Sequence, residues 1–197
     1  PVVVWVSGGT FLQSSSLTFD ERDSWISFRA VSGNKVILTG GLSGSGALEK
    51  EMDPAILGRL ITAGASDHLY RMDLSAFGVS DLGVIHPRGF GRPSPPSQQV
   101  EVYIDNRRLA PSQYPNAAEG GIPIGDIIDT GSIPRNGETD NRGGIFTYDS
   151  SRPDQWINAE DLWIKGYFKY GWSDDLLPVA SLDPSSNQIT TSMASYY

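Results

Sequence analysis

Short β-branched and aromatic runs broken by Gly and Ser fill residues 1 to 41: Val2–Val6, Leu17–Phe19, Trp25–Val31 and Lys35–Thr39. Ile26, Phe28 and Ala30 alternate with Ser27 and Arg29, the period-two pattern of a half-buried strand. Ser32, Gly33 and Asn34 supply turn chemistry, because Gly and Asn tolerate positive φ. A longer period overlies these runs. Val3–Val4 and Ile26 stand just over twenty residues apart, and Leu17–Thr18 and Ile37–Leu38 are spaced similarly. Strands at that interval fit the stacked coils of a parallel solenoid or, alternatively, a small antiparallel meander.

The pattern changes from Leu42 to His68. Leu42–Gly46 reads as a flexible connection. Asp53 and Pro54 open a helix, since Asp caps and Pro fits the first turn. Ile56, Leu57, Leu60 and Ile61 follow at helical spacing, and Ala63–Gly64 closes it. The spacing predicts one short helix over residues 53–63. Alternation returns at Leu69–Leu74 and Val100–Ile104, with Asp105–Asn106 turning into Arg107–Leu109. Residues 86–99 form a Pro- and Gly-rich loop, and 116–143 a second loop-rich stretch. Gly144–Tyr148 and Asp161–Phe168 read as strands. Leu177–Asp183, a turn at Asp183–Asn187 and Gln188–Thr191 read as a hairpin.

Charge and residue usage narrow the chemistry. The net charge is −8 with no basic stripe, which argues against a nucleic-acid partner. The absence of cysteine excludes thiol catalysis, disulfides and zinc ribbons. Two histidines, His68 and His86, stand far apart and read as structural or exposed. No apolar run approaches the ~20 residues that span a bilayer. The chain opens at Pro1 inside a strand-like run and stops at Tyr197 without a tail, which predicts an excised piece of something longer.

Several segments in order carry a resemblance. They are Gly8–Phe11 after a strand, Ile26–Ala30 with Val36–Gly41, Tyr70–Gly78, and Val102–Leu109 with Gln113–Asn116. Phe146–Asp149 with Arg152–Pro153 follows, then Trp163–Phe168, Trp172 and Val179–Asp183. Together they resemble the N-terminal part of bacterial right-handed parallel β-helix proteins, a group with glycoside hydrolases that lies near the pectate-lyase-like superfamily. The resemblance implies an all-β fold: incomplete β-helix coils plus an inserted β-rich, barrel- or sandwich-like module with one short helix. The implied division is 1–45 as coils, 46–99 as a connecting segment and 100–197 as the inserted module. It further implies a secreted or periplasmic parent whose catalytic acids lie in later coils, outside this chain.

On this reading the chain is a non-catalytic part of a polysaccharide-degrading hydrolase or lyase and helps to shape its glycan cleft. The alternatives are a stand-alone glycan-binding module and an assembly piece without glycan chemistry. The expected partners are a polysaccharide or oligosaccharide, and further β-helix coils or a second chain over the exposed end. No cofactor is expected. Candidate binding residues begin with Trp163, Tyr167, Tyr170 and Trp172, because aromatic faces pack on sugar rings; core packing is the competing role for Trp163. Trp163, Lys165 and Tyr167 share one face of a strand. Asp174 and Asp175 point to opposite faces and so do not suit one glycosidic bond as acid and base; the pair reads as a solvated loop, with Asp174 the candidate for contact with a sugar hydroxyl or a cation. Arg107 and Arg108 with Tyr114 are a candidate set for holding a carboxylate such as a uronic acid; alternation lets at most one arginine act there, so Arg107 and Tyr114 are the candidate residues, with a surface salt bridge as the competing role. Asp126, Asp129 and Glu138–Asp140 lack calcium-loop spacing and read as solvated turns.

Overall fold

The computed structural model describes residues 1–44, 48–95 and 99–197. The sequence-predicted connection at Leu42–Gly46 and the loop at 86–99 therefore lie partly outside the described residues. The chain divides into two compact units, Pro1–Ser80 and Asp81–Tyr197.

In the first unit, β1 (Val2–Val6) and β2 (Gly9–Leu12) are followed by β3 (Ile26–Ala30) and β4 (Val36–Thr39). β1 pairs with β3 in parallel, Val2 opposite Ile26 through Val6 opposite Ala30. β2 pairs with β4 in parallel, Gly9 opposite Val36. The partner of β4 is thus β2 and not Leu17–Phe19, which forms no strand; Phe19 instead sets its ring edge-on to Phe28 at 5.8 Å. Gly33 turns the chain between β3 and β4 at φ 78°, where a Cβ would be strained. β5 (Glu49–Lys50) and β6 (Tyr70–Arg71) form a two-residue antiparallel ladder.

Helix α1 spans only Pro54–Leu57. The Asp53 carboxylate accepts from the Ala55 N–H and starts it. Gly58 caps the end, so the apolar period through Leu60 and Ile61 is not used. A Gly inside a helix costs about 1 kcal/mol, and a helix this short has no reserve to absorb it. No described apolar side chain of the first unit is buried; Glu51 is its one buried residue among those described.

The second unit contains β7 (Arg88–Gly89), β8 (Tyr103–Ile104), β9 (Arg107–Arg108), β10 (Ile127–Asp129), β11 (Ile145–Thr147), β12 (Trp163–Gly166), β13 (Asp175–Asp183) and β14 (Gln188–Thr191). One antiparallel sheet runs β10-β11-β14-β13-β12, with β7 also on β13. β8 and β9 form a separate hairpin. Ile189 sits at the centre of the core, opposite Phe146 on one side and Leu182 on the other. It packs with Phe146 and Tyr148, and Ile164, Phe168 and Val179 close around them.

This architecture overturns the expected fold. The sheets are discrete, of two to six strands, in a small mixed α/β arrangement; none is curled or closed. A β-helix stacks coil on coil around a buried inward column. Here each parallel ladder stops at two strands and buries no apolar column. The second unit is likewise an open sheet rather than a barrel or sandwich. The likeness to β-helix carbohydrate-active proteins lay in local strand patterns, and the pairing between strands does not follow it.

Candidate functional site

A concavity of the second unit lies beside β10, the edge strand of its large sheet. Its volume is about 230 Å³. Ile127, Ile133, Ile145, Phe146, Phe168 and Leu177 supply its apolar lining. Strand alternation puts Phe146 of β11 on the core side, and Leu177 of β13, 1 % exposed, is a buried part of the lining. Ile127 is 55 % exposed and stands at the edge.

Backbone hydrogen bonds hold these walls. The Gly125 N–H donates to the Thr147 carbonyl at 2.7 Å, and the Asp126 N–H donates to the Thr147 hydroxyl at 2.7 Å. These bonds fasten the segment carrying Ile124 and Ile127 to β11. Buried Ser132 fastens the next loop. Its hydroxyl donates to Asp140 at 2.8 Å and accepts from the Arg142 N–H at 2.9 Å, while its own N–H donates to the Arg142 carbonyl. At Gly143 the backbone passes so close to β14 that a Cβ would meet the Thr191 carbonyl oxygen at 1.7 Å. Only glycine fits there.

Tyr197 closes one side of the pocket and joins it to an aromatic wall. Its ring meets Trp172 at 5.4 Å and Phe90 at 5.8 Å between centroids. Tyr170 stacks on Trp172 at 5.4 Å with 16° between the planes. Phe90 meets Trp172 edge-on at 5.2 Å. Two cations cover this wall: Arg135 lies 4.6 Å over Tyr197 and Lys169 lies 5.3 Å over Tyr170.

The chain end is fixed by a buried ion pair. Arg92 Nε donates to Asp175 at 2.5 Å, and a second guanidinium nitrogen donates to the same carboxylate at 3.0 Å and to the Ala194 carbonyl at 2.7 Å. Asp175 also accepts from the Tyr196 N–H at 2.8 Å. The side chains are 10 % and 4 % exposed. This one carboxylate therefore ties β13 to the segment that presents Tyr197.

Of the sequence-predicted residues, the fold brings Tyr170 and Trp172 together in the wall. Among the described residues, Trp163 and Tyr167 make no ring contact with them. The Trp163 indole N–H donates to Asp161 at 2.7 Å, and Tyr167 is largely exposed. Asp174 pairs with Lys165 at 3.6 Å. Arg107 is exposed in the β8–β9 hairpin, and its neighbour Arg108 pairs with Glu101 at 2.7 Å. Tyr114 packs on Trp156 at 5.6 Å beneath Arg152, in a separate cluster. Sequence reasoning missed Phe90, Tyr197, Arg92 and the isoleucine walls. The closing pair Tyr196–Tyr197 was the available signal, since two aromatics at a chain end bury well when a surface is offered.

Asp129 lines the pocket but is already engaged: it accepts from Arg142 and from the Gly131 N–H. The Arg142 bond holds its carboxyl below the usual range. In the core, burial pushes the Tyr148 hydroxyl up to about 12, helped by its 2.7 Å bond to Asp154. Among the described residues, no group of three or more His, Asp or Glu is placed to hold a metal ion. The same residues contain no helix long and apolar enough to cross a membrane.

No family model, curated protein or solved structure matches the chain. The expectation of a glycoside hydrolase or polysaccharide lyase parent, and of a glycan-shaping role, is corrected accordingly. Neither the sheet architecture nor any related protein supports it. The expectation of export rested on that resemblance alone.

Proposed function

We propose that the second unit is a binding module that takes a compact apolar group into the pocket beside β10. The observation that carries this reading is the pocket itself: about 230 Å³, walled by isoleucines, Leu177 and two phenylalanines, with an aromatic wall beside it. Size sets the class of occupant. Drug-sized ligands occupy roughly 300–1,000 Å³, whereas a cavity of about 150 Å³ holds benzene. A branched aliphatic group of about six carbons fits between. Burying such a group at about 0.8 kcal/mol per carbon gives about 4–5 kcal/mol, a Kd near 1 mM.

The test is a methyl NMR titration of the full chain with 4-methylpentanamide, a neutral probe. Saturable shifts of the isoleucine and leucine methyls lining the pocket are expected, and their loss in Ile127→Trp, where the indole fills the mouth. Shifts that never saturate, or that persist unchanged in Ile127→Trp, refute the reading.

A second reading concerns the first unit. All of its described apolar side chains are at least partly exposed, Trp25 at 81 % and Val2 and Trp5 at 59 %. Apolar side chains left exposed in such number suit an interaction face. A second polypeptide chain laid across β1 to β4 is the occupant we infer. Hydrogen exchange at these strands that stays fast at every protein concentration and in cell extract would count against it.

A further inference from the structure

We propose that the occupant of the pocket beside β10 is an internal, extended stretch of another polypeptide. It adds as a strand to the free edge of β10 and places one branched apolar side chain in the pocket. This inference rests on the apolar-binding reading above and names the molecule that carries the apolar group.

The meeting of a sheet edge with the pocket carries it. Among the described strands β11 is the one partner of β10, so the outer edge of β10 presents unpaired backbone N–H and C=O groups. Ile127 and Asp129 of β10 line the pocket, and Ile128 between them does not, as strand alternation requires. A strand laid about 4.8 Å beyond β10 sends every second side chain to that same face, over Ile127 and toward Phe146. Ile127 and Ile128 are each 55 % exposed, which leaves this edge open to an incoming chain.

The two ends of the sheet differ. β12, at the opposite end, carries Lys165, a charge of the kind that keeps strand edges from pairing. β10 has neither Lys nor Pro. Its one charged side chain, Asp129, is turned back onto Arg142 and the Gly131 N–H. β10 is short and shifts register between Ile127 and Asp129. It therefore has room for about two ladder bonds, so the backbone sets register and the pocket selects the side chain.

Charge selects an internal stretch over a chain end. Glu138 accepts from the Ile133 N–H, and Asp140 accepts from the Ser132 hydroxyl. These acids accompany Arg135, Arg142 and Lys169 around the pocket. With both signs present, the rim offers no excess charge to a free acid or a free amine. A peptide amide is neutral, and its N–H and C=O match what the edge of β10 leaves unpaired.

The full chain is titrated with acetyl-Thr-Thr-Leu-Thr-Thr-amide, and with two analogues N-methylated at the Leu or at the Thr after it. Adjacent N–H groups of a strand point to opposite sides, so one methyl blocks the edge ladder and the other faces solvent. The parent peptide is expected to bind about tenfold more tightly than 4-methylpentanamide, the gain from about two net backbone hydrogen bonds. One analogue is expected to lose that tenfold and the other to keep it. Amide exchange at Ile127–Asp129 is expected to slow with the peptide and not with 4-methylpentanamide. Saturable binding of 4-methylpentanamide with no gain from the peptide, or equal binding of all three peptides, overturns strand addition while the apolar reading stands. An equal loss in both analogues also overturns it, because the methyl group then acts on the peptide and not on the edge. Protection at Ile127–Asp129 that rises with protein concentration alone assigns the edge to a second copy of this chain and overturns the peptide. Saturable binding of neither ligand overturns both readings.

Discussion

Replacing Asp175 by asparagine tests how the second unit holds the closing wall of its pocket. The substitution keeps the shape and removes one charge. Arg92, 10 % exposed, keeps the Ala194 carbonyl and the one remaining amide oxygen as acceptors but loses its counter-charge, and the amide nitrogen must face a former donor, the guanidinium or the Tyr196 N–H. Breaking a buried pair by removing one partner costs about 3–5 kcal/mol, because the surviving charge stays desolvated. Replacing both partners by apolar groups in Arg92→Met/Asp175→Leu removes that charge. What remains is an unpaired Tyr196 N–H and an unpaired Ala194 carbonyl, about 1–3 kcal/mol each. The double variant is therefore expected to lose about as much stability as Asp175→Asn. Native-state hydrogen exchange at the β13 and β14 amides reads both values, since core strands report the largest opening free energies. A loss below about 1 kcal/mol in either variant refutes the argument. Aromatic chemical shifts of Tyr197 are expected to move in both, because its segment loses its tie to β13.

Three further outcomes follow from the same packing. Tyr148 ionises only near 12 in the folded chain, above the ordinary tyrosine value of 10.0, so its contribution is complete below about pH 10 and is lost as pH rises toward about 12. Tyrosinate absorbance and thermal melting should show unfolding steepening across that window, and Tyr148→Phe should remove that contribution. Gly143→Ala forces a Cβ into the Thr191 carbonyl and should destabilise the second unit by about 3 kcal/mol or more, read as a lowered melting temperature; an unchanged melt would show that the backbone moves aside at no cost. A fragment of residues 81–197 should unfold cooperatively, whereas residues 1–80 alone, with no buried apolar side chain among those described, should show no cooperative transition by calorimetry.

Local chemistry made the strands readable. Val2–Val6, Ile26–Ala30, Ile145–Thr147 and Trp163–Gly166 announce themselves by β-branched and aromatic content, and the Asp183–Asn187 turn by residues that accept its geometry. Asn187 adopts φ 52°, and the Asp183 carboxylate accepts from Ser185 and Ser186. Pairing was not readable in the same way. The interval from Leu17 to Ile37 looked as periodic as that from Val3 to Ile26, yet β4 found β2. The ordered likeness to β-helix proteins failed for that reason: strand patterns are local, whereas coil stacking is a long-range property. The predicted helix shortened because Gly58 falls inside its apolar period. The site depended most on distance. Arg92 and Asp175 are 83 positions apart, and neither has a sequence context that points to the other. Tyr170 and Trp172 were legible as a short aromatic cluster, but Phe90 and Tyr197 become their neighbours only through the fold.

The central claim is that the cavity beside β10 receives an apolar group. Intermolecular nuclear Overhauser effects between 4-methylpentanamide and the full chain test it most directly. The account predicts contacts from the probe methyls to Ile127, Ile145 and Leu177, and to the Tyr197 ring. Contacts that map to the exposed strands of the first unit instead, or none at saturating probe, would contradict it.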